Sequence, residues 1–142
     1  MADSFGIKLG VEGEKEFKSA LSDINRSFKV LGSEMKLVQS QFGKNDSSIE
    51  SLTSRNEVLN RQIEKQKEKI STLKSALDNA SSSFGENDRR TQNWQIQLNN
   101  AEASLNSMER EVNENNKALE NAEDNLEDAT KNADKFAEKI DD

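Results

Sequence analysis

The chain has 142 residues, of which 32% are hydrophobic and 33% charged, with a net charge of −7 and no Pro, Cys, His or Tyr. So little apolar material speaks against a large globular core. Without His or Cys, the side chains that usually perform acid–base, nucleophilic or metal chemistry near neutral pH are missing, so the chain reads as a non-enzyme with no catalytic residues, no cofactor and no metal site.

Phe5, Ile7, Leu9 and Val11 alternate with Gly6, Lys8, Gly10 and Glu12, which is the period of a half-buried strand. A single short strand cannot stand alone. Residues 1–13 are therefore expected to form a strand-like or flexible segment that needs a partner, with its three glycines favouring flexibility.

The period changes to that of a helix at Glu14. Phe17, Leu21, Ile24, Phe28, Leu31, Met35, Val38 and Phe42 recur at alternating spacings of three and four, predicting a first helix over 14–42 with one apolar seam. Gly32 interrupts it at a cost of about 1 kcal/mol relative to Ala and is a possible kink. Gly43 is a natural helix stop, and Asp46 or Ser47 a fresh start, with Ser47 and Glu50 at capping-box spacing. The break is placed at 43–46.

A second helix over 47–80 continues the seam through Ile49, Leu52, Asn56, Leu59, Ile63, Gln66, Ile70, Leu73, Leu77 and Ala80. Asn56 and Gln66 are polar members, and a polar residue at such a position lowers stability while fixing register or oligomer state. Ser81, Ser82, Ser83, Phe84 and Gly85 read as a loop, giving a break over 81–88 before Asn87 or Asp88 caps a third helix over 89–140. Its seam is Thr91, Trp94, Leu98, Ala101, Leu105, Met108, Val112, Asn115, Leu119, Ala122, Leu126, Ala129, Ala133, Phe136 and Ile140. The alanines and the asparagine make it the weakest stripe.

Two marks repeat at a distance of six heptads. Phe42-Gly43-Lys44-Asn45-Asp46 returns as Phe84-Gly85-Glu86-Asn87-Asp88, and Ala76-Leu77-Asp78-Asn79-Ala80 as Ala118-Leu119-Glu120-Asn121-Ala122. The apolar phase passes through Gly43, Asp46, Gly85 and Asp88 without a slip. The fold class is thus all-α, with long heptad-patterned helices. They form either antiparallel coiled-coil hairpins folded at the glycines or one extended rod of roughly 210 Å at 1.5 Å per residue.

Flanking charges favour the hairpin. Residues 1–77 carry 13 basic and 11 acidic groups, and residues 78–142 carry 7 and 16. An in-register parallel dimer would oppose Lys69 and Lys74, a like-charge pair. A fold-back near Phe84–Asp88 instead aligns Leu77 with Ala101, Leu73 with Leu105, Ile70 with Met108 and Phe84 with Trp94, and turns Lys69 toward Glu111. A fold-back near Gly43 aligns Met35 with Leu52, Phe28 with Leu59, Ile24 with Ile63 and Phe17 with Ile70, and sets Glu34 near Arg55. Three helices can thus form an up-down-up bundle, whereas the unchanged heptad phase at Gly43 and Gly85 is what an unbroken rod requires.

Two other constellations read as structural. Glu123-Asp124 and Glu127-Asp128 lie four apart on a helix and form a solvated acidic face, because a hard cation needs several oxygens converging from a turn. Arg89-Arg90 with Trp94 suggests nucleic-acid contact only superficially, since the surroundings are acidic and Trp94 sits on the seam, so no specific nucleic-acid partner is expected. No apolar run approaches the roughly 20 residues of a membrane helix, so no membrane contact is expected from this region.

Residues 7–21, followed by Leu31-Gly32-Ser33-Glu34-Met35-Lys36-Leu37-Val38 and Phe42-Gly43-Lys44-Asn45-Asp46, resemble the N-terminal region of tail tape measure proteins from phages and prophages of Gram-positive hosts. The resemblance extends over nearly the whole chain, and residues 7–46 are its most specific part. It implies a structural protein whose helical length sets tail tube length during virion assembly and which is expelled before DNA ejection. It also implies a location in the virion tail lumen, and in the host cytoplasm during assembly. The implied partners are the tail tube, assembly chaperones and the tail terminator, with a homo-oligomer in the tail. Such proteins are usually several times longer, so the chain is expected to be a piece of one. The alternative is a coiled-coil interaction module that docks an assembly chaperone, tail terminator or host sensor protein through the strand-like segment or the seam.

Overall fold

A seven-residue apolar rhythm obliges each helix to bury one stripe, and neighbouring helices are the nearest apolar surface available. The computed structural model describes residues 9–43 and 46–141, with side chains to residue 134. It contains three helices: α1 (Gly10–Phe42), α2 (Ile49–Phe84) and α3 (Arg89–Asp141). Among the described residues there is no strand.

Three element boundaries differ from the sequence expectation. Residues 1–8 of the strand-like segment lie outside the described residues, but Gly10–Gly13 belong to α1. The reason is a cap supplied from another helix. Leu9 has no side-chain cap to offer, and the carboxamide of Asn79 accepts the Gly10 N–H at 2.8 Å and donates to the Gly10 carbonyl at 3.2 Å. At the start of α2 the cap is Ser48 rather than Asp46 or Ser47, its hydroxyl accepting the Ser51 N–H at 3.2 Å. At its end, Ser81–Phe84 are helical and not loop. Three serines do not break a helix whose carbonyls remain bonded, and Ser81 accepts the N–H of Gly85 at 3.0 Å. Gly32 leaves α1 unbroken.

The helices run antiparallel in sequence order, with α2 in the middle. Gly10 meets Asn79, Lys69 donates to Asn25 at 3.1 Å, and Arg61 pairs with Glu34 at 2.7 Å. The last two bonds set α1 about one heptad further along α2 than the expected alignment of Phe17 with Ile70 and Phe28 with Leu59, while Gly10 and Asn79 lie within about two positions of it. On the other side, Asn115 donates to Asn56 at 2.9 Å, where the expected register opposed Asn56 to Ala122. That register too slides by a heptad, because α2 continues to Phe84 and the chain reverses within Gly85–Asp88. Leu73 then falls opposite Leu98 and Leu59 opposite Val112. Lys69 faces α1 and not Glu111.

One helix cannot give the same stripe to two partners. The seam of α2 packs against α3, and α1 takes the adjoining stripe, where Ser51 and Ala76 are both 0% exposed. The core gathers at the end nearest the second reversal. Leu21 and Ile24 of α1 meet Ile70, Leu73, Ala76 and Ala80 of α2, and Trp94, Leu98 and Ala101 of α3. Fully burying a side chain of this size contributes about 1.5–3 kcal/mol each.

On the α2–α3 register, Ile49 lies opposite Ala122. Helix α3 continues past that point with none of the described residues of α1 or α2 covering it, and every residue from Glu123 to Asp134 is exposed.

Candidate functional site

The candidate site is the seam and its two turns. Of the α1 seam, Leu21, Ile24 and Leu31 are buried and Phe17, Phe28, Met35, Val38 and Phe42 half-buried. Of the α2 seam, Leu52, Leu59, Ile70 and Leu73 are buried and Ile49, Ile63 and Leu77 half-buried. On α3, Trp94 and Leu98 are buried and Leu105, Met108, Val112 and Leu119 half-buried. Leu126 lies past the end of α2 and is 59% exposed.

Polar groups inside this seam are bonded across helices. Asn56 is 9% exposed; it donates to Asn116 at 3.0 Å while accepting from Asn115 at 2.9 Å. Gln66 donates to the Ala101 carbonyl at 2.9 Å. A buried amide left without partners costs about 1–3 kcal/mol, so each pair penalises any sliding of α3 along α2. The indole N–H of Trp94 donates to the carboxylate of Glu14, which is buried at 6% exposure and lies 3.9 Å from the Lys18 ammonium. Glu14 thereby ties α1 to α3, a role that helix-start chemistry alone did not suggest. Asn79, Asn25 and Arg61 were also missed, and no local pattern marks them, since their partners are 69, 44 and 27 positions away.

The two turns share one construction. Gly43 has φ +81° and ψ 159°, and Gly85 has φ +93° and ψ 159°, a region of backbone space that is essentially restricted to glycine. Each glycine N–H bonds the carbonyl four residues back, at 2.7 Å to Gln39 and 3.0 Å to Ser81. Each glycine carbonyl is capped by a side chain of the next helix, Arg55 at Gly43 and Thr91 at Gly85. In each, an aspartate accepts the N–H two residues on: Asp46 from Ser48 at 2.7 Å and Asp88 from Arg90 at 2.8 Å. Ser48's backbone N–H, and then its hydroxyl, hold the Asp46 carboxyl below its ordinary value. The guanidinium of Arg90, and then its N–H, do the same for Asp88, and Asp88 raises Arg90 in return. Arg90 also lies over the Phe84 ring, 3.4 Å from its centroid, a cation–π contact.

Glu123, Asp124, Glu127 and Asp128 are all exposed, and among the described residues no group of three His, Cys, Asp or Glu side chains converges. No helix is long and apolar enough to cross a membrane among the described residues. What this arrangement offers is selective helix-to-helix adhesion with defined corners. No protein-family model, curated protein or solved structure matches the chain.

Proposed function

We propose that the chain is the N-terminal part of a phage tail tape measure protein, a coiled-coil ruler that sets tail tube length during assembly and leaves before DNA ejection. The observation that carries this reading is the six-heptad repeat. One turn sequence recurs after 42 residues with the apolar phase intact, so the two helix stops lie a whole number of heptads apart. A ruler requires a fixed rise per residue and little bulk, and a proline-free heptad chain supplies both. In this reading the working location is the tail lumen, after assembly in the host cytoplasm. The partners are the tube, assembly chaperones, the tail terminator and further copies of the chain. The hairpin is the form of the free chain and the extended helix its form when confined. The test is an insertion of one further 42-residue unit into the full-length protein. Tails are expected to lengthen by about 63 Å at 1.5 Å per residue; unchanged tails would remove the ruler assignment.

The second reading is a docking module, and the bonds of Asn56 and Gln66 favour it, since a plain spacer has no use for sequence-specific clasps. Replacing residues 47–80 by an unrelated coiled coil of equal length separates the two. Normal tails after the exchange fit the ruler, and failed assembly fits docking.

A further inference from the structure

Helices α1 and α3 both pack on α2 and leave a trough between them. It consists of two adjoining hollows of about 430 and 380 Å³. From α2 its floor carries Gln66 and Lys69, and its apolar lining comes from Leu21 and Phe28 of α1 and Trp94, Ala101 and Met108 of α3. Its two walls differ. The α1 wall carries Lys18, Arg26 and Lys29, and the α3 wall carries Gln97, Asn100 and Ser104. No carboxylate lines either hollow, although the chain as a whole has a net charge of −7.

The free end of α3 has the opposite character. Residues 120–134 hold six carboxylates and one lysine. Leu126, Ala129 and Ala133 continue the seam there, with small side chains suited to a narrow trough. Helical spacing puts Glu120, Glu123, Glu127 and Asp134 along one flank of that seam, and Asn121, Asn125 and Asn132 along the other. One flank is acidic and the other is mostly amide, with Asp128 at the heptad position of Asn121. The trough has a basic wall and an amide wall.

The geometry points to an arm-in-trough exchange: residues 123–134 of one copy lie in the α1–α3 trough of a second copy. The lengths agree, since the arm is about 18 Å long and the trough, from Trp94 to Met108, about 21 Å at 1.5 Å per residue. The arm cannot reach its own trough, which lies about 40 Å back along the same helix. With the seam turned to the floor and the acidic flank to α1, the right-handed winding of the helix makes the arm antiparallel to the α3 beside it. Centring the arm on Ala101 brings Glu123 to Lys29, Glu127 to Arg26 and Asp134 to Lys18. An antiparallel alignment of two α3 helices places each arm in the other's trough at once, so the contact closes as a twofold dimer and does not propagate. Each trough then holds a fourth helix, completing an up-down-up-down bundle. The inference does not use the ruler reading and stands or falls separately from it.

The full chain tests it. Sedimentation at micromolar concentration and low salt is expected to give twice the 15.9 kDa chain mass. Reversing the arm (Glu123→Lys with Glu127→Lys) or the wall (Arg26→Glu with Lys29→Glu) is expected to weaken the dimer by about tenfold or more. Combining all four changes is expected to restore it, while circular dichroism shows each variant helical. All four side chains are exposed, so folding is preserved. The chain has no cysteine, so Gln97→Cys with Asn132→Cys is expected to give a covalent dimer on mild oxidation and nothing larger. A wild-type monomer at high micromolar concentration, an unrescued four-fold variant, or a disulfide ladder of open chains would each overturn the proposal.

Discussion

At the first corner Asp46 accepts the N–H of Ser48 and leaves helix initiation to that serine, so six residues, Gly43–Ser48, separate α1 from α2. At the second, the Asp88 carbonyl already accepts the first helical N–H, from Gln92 at 3.1 Å, and only Gly85–Asp88 intervene. The glycine stops are alike. The restart is decided two residues past the aspartate, where one corner has Ser48 and the other has Arg90. Arg90 can stack on Phe84 and fork onto both Asp88 oxygens, at 3.0 and 3.1 Å. The tighter corner is also the end where all three helices share a core, whereas Leu31, Leu52, Val58 and Leu59 bury themselves at the looser end outside that cluster. A repeated phrase thus yields equal stops but unequal corners, and tertiary packing follows the tighter one.

The largest expected effect tests the inequality of the ends directly. Trp94→Ala, at 2% exposure, is expected to cost about 3–5 kcal/mol in urea denaturation, and half-buried Met35→Ala about half as much. Equal losses would mean that the ends are energetically equivalent. Next come the glycines. Gly43→Ala and Gly85→Ala each force a side chain into glycine-only backbone space at about 1–3 kcal/mol, and the shorter second corner is expected to lose more. Asn56→Ala strands its amide partners Asn115 and Asn116 at the looser end, for about 1 kcal/mol; a neutral result would show that register there rests on apolar packing alone. Gly32→Ala is expected to stabilise by about 1 kcal/mol, because nothing lies within 4 Å of the added methyl. A loss at that position would reveal a neighbour that α1 needs there.

The smallest effect is that of pH. Asp46 and Asp88 have folded-state values below the ordinary carboxylate value of 3.8. Their contribution is therefore complete above that value and fades as pH falls through the depressed range. Asp88→Asn is expected to flatten the acid limb of a melting-temperature profile more than Asp46→Asn, since the Arg90 guanidinium bond is the largest cause at Asp88, whereas the charge of Arg55 is the smallest at Asp46. Identical acid limbs would show that the backbone N–H bond common to both turns is the whole effect.

Much of the helical content was legible because heptad spacing, glycine stops and aspartate caps are all local signals. Two kinds of feature were not. Ser81–Phe84 look like a loop until the carbonyl of Ser81 is seen bonded to Gly85, and Gly10–Gly13 look like strand until Asn79 caps them from 69 residues away. Register was misjudged by a heptad on both sides for a related reason: a strict seven-residue repeat fits its partner almost equally well at every seventh position. Only where the corner closes, and which polar groups then pair, separates those alternatives.

The amino-acid order alone determined that this chain would be helical, with an apolar stripe along each helix and helix stops at Gly43 and Gly85, because backbone preference and side-chain period act within a turn or two of helix. It did not determine how α2 divides itself between two neighbours. That division depends on the stripe beside the seam, where Ala76 and Asn79 look unremarkable in one dimension. They acquire meaning once α1 is packed against them, with Glu14 reaching past to Trp94. The tertiary structure decided this, because a polar group has a low-energy place in a core only when its partner is already there.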